Sequence, residues 1–267
     1  MSVLLLMTGI FASVLLLYLA GIFLLSRVLR DNSIMDIAYG PAFAIAAIAT
    51  LLLTDTASPL PVLIATCITI WALRLFTRIL RKNFGKPEDA RYAAWREKWL
   101  QKGSLYFIVR SFLQVNLLQG VIILLVASPF IISIAAGDAI HLWFVCVGFA
   151  IYAFGLTYES IADWQLDRFI AGKKAGTEPA NLMVTGLFRY SRRPNYFGET
   201  LIWWGLAIMA LPLPFGYLAL ISPLLITFIV TRVTGPMLEE IFLEKYPEEY
   251  RAYMERTSYF FPLPPTS

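Results

Sequence analysis

Seven runs of apolar residues, each near the length that crosses a bilayer and almost free of charge, constrain this chain more than any other feature. A transmembrane helix needs roughly 20 mostly apolar residues to traverse about 30 Å of hydrocarbon. The runs cover residues 3–29, 34–53, 59–80, 105–132, 142–162, 196–211 and 215–233. Lipid offers no partners to backbone polar groups, and continuous runs of this length satisfy them as helices. The sequence therefore predicts an all-α fold, a polytopic membrane bundle of about seven transmembrane helices that forms one domain over residues 1–267. The sixth run ends at Leu211-Pro-Leu-Pro214, where two prolines suit a tight turn between antiparallel helices.

The loops between these runs alternate in charge. Residues 54–58, 133–141 and 212–214 hold no Lys or Arg, whereas 81–104, 163–195 and the C-terminal tail are rich in both. All 22 basic residues lie in or near loops of one face, which the positive-inside rule makes cytoplasmic. The N-terminus is then outside and the C-terminus cytoplasmic. The net charge of +4 sits beside apolar spans, so it suits inner-leaflet and phosphate contacts rather than nucleic acid. No basic segment precedes the first run and Arg27 and Arg30 follow it, so it reads as a retained span rather than a signal peptide. Cys67 and Cys146 lie inside apolar runs, and the sole histidine, His141, lies in a loop of the opposite face. Cysteines so placed disfavour a disulfide and build no metal site, and a cytoplasmic histidine base is excluded. With no glycine-rich phosphate loop in the sequence, a cofactor must enter the helical bundle itself.

Ionisable groups within apolar spans are costly and commonly line a cavity or site. Asp36 stands near the start of the second run, and Arg74 and Arg78 lie one turn apart on the third; an Asp36–Arg74 pair would satisfy both. Glu159 and Asp163, four residues apart, share a helical face, with Gln165, Asp167 and Arg168 following. Carboxylates there suit ribose hydroxyls or simple pairing with arginines. The densest group runs from Thr185 to Glu199 and holds Arg189, Arg192, Arg193, Asn195 and Glu199 just before a span that Pro194 opens. Arginine forks and a helix N-terminus both favour an anionic ligand. A basic anchor for acidic lipid headgroups would account for the arginines but not for Asn195 and Glu199 together.

At these residues the chain resembles a bacterial membrane family of formerly unknown function that is grouped with steroid 5-alpha-reductases. The marks are Asn32-Ser-Ile-Met-Asp36, the segment from Asn83 to Tyr92, Asp163-Trp-Gln-Leu166, the segment from Gly186 to Glu199, Ile221-Ser-Pro-Leu224, and the tail from Tyr250 to Pro262. The resemblance implies a multi-pass protein of the bacterial inner membrane that binds NADPH within the bundle and delivers hydride to a hydrophobic enone or unsaturated lipid. It carries cofactor contacts to Arg78, Lys86, Asp163, Asn195, Glu199, Trp203 and Arg232, beside which Arg168 is a further candidate. Glu159 falls where those enzymes have an asparagine. Arginine and lysine would serve the phosphates, carboxylates the ribose hydroxyls, and Asn195 and Trp203 the amide-bearing ring. Asp36 aligns with the glutamate that helps polarise the substrate ketone, but its partner tyrosine aligns with Leu75. Either Tyr39, one turn beyond Asp36, donates instead, or the substrate differs.

A second resemblance is to isoprenylcysteine carboxyl methyltransferases, which would make the chain an S-adenosylmethionine-dependent lipid methyltransferase. Their Arg-His-Pro-x-Tyr-x-Gly stretch reads Arg192-Arg-Pro-Asn-Tyr-Phe-Gly198 here, with Arg193 in place of the histidine. A third reading is a non-enzymatic protein that binds or moves a lipid. In each case the expected partners are the bilayer and a hydrophobic substrate or lipid, with no nucleic acid and no metal.

Overall fold

The computed structural model describes residues 2–266, and its regular structure is all-helical, with no strand among them. Six helical stretches are long and apolar enough to cross a membrane, which makes the protein a polytopic helical bundle. The chain gathers into two compact units, residues 2–140 with Pro212–Leu218, and His141–Leu211 with residues 219–266.

The first unit opens with α1 (Ser2–Leu29), α2 (Ile34–Leu53) and α3 (Pro59–Asn83). α1 packs on α2 and α2 on α3. At Gly40 the backbone of α2 meets that of α3, since a Cβ there would stand 3.1 Å from the Ala72 carbonyl oxygen. Phe43 sets its ring edge-on to Trp71 at 5.5 Å in the same seam. The polar stretch after α3 holds α4 (Ala90–Leu100), which Asp89 caps by accepting from the Arg91 amide at 3.0 Å. The fourth apolar run is not one helix. α5 (Ser104–Arg110) passes through a π-helical turn at Ser111–Leu117 into α6 (Leu118–Val126), and α7 (Ser128–Ala135) starts afresh at Pro129. Proline cannot donate to the turn before it, and so marks that break.

In the second unit α8 (Leu142–Ala175) runs well beyond the fifth apolar run, so much of the stretch expected as loop from Asp163 is helix. It stops at Gly176, whose φ of +72° is the left-handed conformation that glycine takes without strain. α9 (Pro194–Ala210) is the sixth run. Its 17 residues span about 26 Å at 1.5 Å each, the lower limit for crossing. The seventh run forms Gly216–Lys245, which includes α10 (Ile221–Phe228), a π-helical turn at Ile229–Thr234 and α11 (Gly235–Lys245). α12 (Pro247–Arg256) and an extended tail close the unit.

α8 and α9 meet backbone to backbone because glycines stand seven residues apart on each, at Gly148 and Gly155 and at Gly198 and Gly205. A Cβ on Gly148 would lie 2.5 Å from the Gly205 carbonyl oxygen, and one on Gly155 2.8 Å from that of Gly198. Small residues allow this approach, which in lipid replaces hydrophobic burial as the source of helix association. Cys67 is buried on α3, whereas Cys146 faces outward from α8, and neither is in a disulfide.

Candidate functional site

Two polar clusters stand out, one in each unit. In the first, Asp36 opens α2, and its carboxylate accepts from the Tyr92 hydroxyl at 2.6 Å and from Arg91 at 3.2 Å. Both partners come from α4. Arg91 is itself held by Asp89 at 2.9 Å. Burial pushes the Tyr92 hydroxyl far above its ordinary range and the adjacent Asp36 charge adds to it. Beside this pair, Glu88 accepts from the Asn32 amide at 2.8 Å and from Arg96 at 2.6 Å. Ser111 donates to Asn32 at 2.8 Å. These bonds tie the α1–α2 turn to the segment before α4.

One expectation changes here. Asp36 is paired with Arg91 rather than with Arg74, and it also holds the hydroxyl of Tyr92. Tyr39, one turn further along α2, sets its ring edge-on against Phe43 at 5.3 Å. A residue pair 56 positions apart has no periodic signal; the hint available in the sequence was Arg91-Tyr92 at the end of one of the shared segments.

The second cluster follows from the glycine contact. A Cβ on Gly198 would lie 2.7 Å from the Glu159 amide nitrogen, so Glu159 is pressed against the first turns of α9. Glu159 and Asp163, one turn further, are 5% and 4% exposed. On α9, Asn195 and Glu199 are half-buried and Trp203 is fully buried. Tyr196 lies within electrostatic reach of Arg193, Glu199 and Asp163. The expected residues Glu159, Asp163, Asn195, Glu199 and Trp203 therefore belong to one helix pair. Arg168 lies further along α8, stacks over Trp164 at 5.6 Å and lines a cleft of about 620 Å³ with Gln165, Met183 and Thr185. Arg232 is exposed on the π-helical turn. Arg78 and Lys86 belong to the first unit, Arg78 half-buried on α3 and Lys86 exposed beyond it, donating to the Lys82 carbonyl.

The basic segment before α9 divides its arginines sharply. Arg192, 8% exposed, donates from Nε to Glu239 at 2.7 Å and from Nη1 to the carbonyls of Thr257 at 2.6 Å and Met254 at 3.2 Å. Its amide donates to the Ser258 carbonyl at 2.8 Å, and Ser191 donates to that of Phe260 at 2.9 Å. Tyr253 donates to the Phe188 carbonyl at 2.5 Å. Arg192 is thus the clasp for the C-terminal tail and not a ligand contact. Gly186, at φ +61°, lets its turn close on Gln165, whose side chain accepts from the Leu187 amide at 2.9 Å.

Burial also pushes the Tyr250 and Tyr253 hydroxyls up. With Tyr92 these groups are neutral in the fold beyond the ordinary pKa of about 10. A raised value contributes stability that is complete below pH 10 and lost as pH rises past it. Melting temperature is accordingly expected to be insensitive to these three tyrosines through neutral pH and to fall steeply above about 10. Tyr92→Phe should blunt that fall, and an unchanged alkaline profile would refute the assignment.

Residues 22–257 match the model of a family described as "Protein of unknown function (DUF1295)". An uncharacterized protein of Schizosaccharomyces pombe is 29% identical over 224 residues, which cover 73% of this chain and 61% of that protein. The chain spans less than two thirds of that relative's length. No solved structure matches.

Proposed function

From the premise that the chain belongs to the DUF1295 family, we propose that it is a membrane-embedded reductase that uses NADPH on a hydrophobic enone or unsaturated lipid. The observation that carries this reading is the backbone contact of Gly198 with Glu159, which brings two buried carboxylates to the start of α9 beside Asn195, Glu199 and Trp203. Carboxylates so placed suit the hydroxyls of a ribose. The donor set fits the cofactor: carboxylates for hydroxyls, Asn195 for an amide, Trp203 for ring packing, and Arg168 and Arg232 for phosphates. NADPH would supply the hydride. In the first unit Asp36 holds the Tyr92 hydroxyl, a group that could polarise a carbonyl only by turning its proton from the carboxylate to the substrate. The resemblance to steroid 5-alpha-reductases supports the same reading, in a bacterial inner membrane with the basic loops cytoplasmic.

Purified in mild detergent, the protein is expected to gain thermal stability with NADPH and not with S-adenosylmethionine. Glu199→Ala and Asn195→Ala should each abolish the NADPH shift while leaving the helical content intact. A shift with S-adenosylmethionine alone would make the protein a methyltransferase, and silence from both would end the enzyme reading.

A further inference from the structure

Arg193 is the one arginine of its segment whose binding edge is enclosed but unused. Its Nε and Nη2 are both shielded from solvent and neither has a hydrogen-bond partner. These two nitrogens form one side of the guanidinium, the fork that grips two oxygens of an oxyanion at once. The plane is held by Phe242, whose ring centroid lies 5.5 Å from the guanidinium carbon. Leaving donors of a charged group unsatisfied costs about 1–3 kcal/mol or more, so a fold that keeps them this way has a use for them.

The carboxylate of Glu239 is already engaged elsewhere. Glu239 accepts from Arg192 at 2.7 Å and from the Tyr250 hydroxyl at 3.3 Å through the same oxygen. Arg193 makes no ion pair among the described residues. The hydroxyls of Tyr196, Tyr250, Tyr253 and Tyr259 are each within its electrostatic reach, and Tyr196 is within reach of Glu199 and Asp163 as well. Tyr253 and Tyr259 already donate, to the carbonyls of Phe188 and Thr231. We propose that the Arg193 fork binds a phosphate group, carried either by a nucleotide or by a lipid headgroup. The site stands independently of the reductase reading.

The full chain in neutral detergent is tested with inorganic pyrophosphate, with NADPH, and with phosphatidylglycerol against phosphatidylcholine, all at matched ionic strength. At least one phosphate probe is expected to stabilise the wild type beyond chloride, and Arg193→Gln to weaken its apparent affinity about tenfold or more. Arg193→Lys, which keeps the charge but lacks the fork, should fall between them. Without ligand, Arg193→Gln should melt close to wild type, because it removes two unpaired donors and only the ring contact with Phe242. NADPH responding through Arg193 identifies a nucleotide, and phosphatidylglycerol alone identifies a headgroup. The site is overturned if Arg193→Gln retains wild-type affinity for every probe that binds, or if no probe stabilises the wild type. NADPH binding untouched by Arg193→Gln would sink this site but not the reductase. Pyrophosphate or phosphatidylglycerol binding without NADPH would do the reverse.

Discussion

Arg192→Ala is expected to destabilise the second unit by about 3–5 kcal/mol, the usual result of removing one partner from a buried ion pair. The loss goes beyond the pair with Glu239, because the same guanidinium also satisfies the carbonyls of Met254 and Thr257. Without it the tail keeps its backbone bonds to Arg192 and Tyr190, the bond from Ser191 and those of the Tyr259 and Thr257 hydroxyls to the carbonyls of Thr231 and Arg189. Arg192→Lys should recover little, since an ammonium cannot reach three acceptors from a planar fork. Thermal unfolding reports the loss, and limited proteolysis should cut the chain after α12 in the variant but not in the wild type. A melting temperature within error of wild type would show that Arg192 is no clasp. Set beside Arg193→Gln, this gives a direct contrast between adjacent arginines, one expected to cost fold and the other to cost binding.

Gly198→Leu is expected to cost about 3 kcal/mol or more. A Cβ at that position meets Glu159 backbone atoms at 2.7 and 2.8 Å, and backbone of a packed helix cannot move aside as a flexible side chain could. α8 and α9 must part, which loosens the Gly155 and Gly205 contacts on either side. The functional consequence follows from geometry, because parting the helices draws Glu159 and Asp163 away from Asn195 and Glu199. The variant should therefore lose the NADPH shift together with stability, even though no cofactor-type side chain is touched. Gly9→Ala is the control. Nothing lies within 4 Å of its would-be Cβ, so it should leave melting temperature unchanged or slightly raised. If Gly198→Leu melts like Gly9→Ala, the helices do not meet at this glycine.

The class of fold was legible because bilayer thickness sets one length for every crossing segment, although the fourth run breaks at Pro129. The helix at Pro194 was equally legible, since proline at a first position is a local rule. The grouping of Glu159 with Asp163 followed from helical spacing alone. The extension of α8 past Asp163 was not, because loss of hydropathy ends a span without ending a helix. Nor was the partner of Asp36. Arg74 and Arg91 are the same residue type, and only the fold of the segment around α4 brings one of them to the carboxylate.

Sequence by itself thus determined what lies along each helix: the crossing lengths, the charge of each loop, the face shared by two carboxylates and the stock of groups suited to an anion. Tertiary structure alone decided what those groups meet. Arg192 and Arg193 are chemically identical and adjacent, yet one is closed around Glu239 and the tail while the other holds an open fork. The physical reason is that a hydrogen bond depends on distance and direction to a partner remote in the chain, and such partners are set by packing, which no local pattern records.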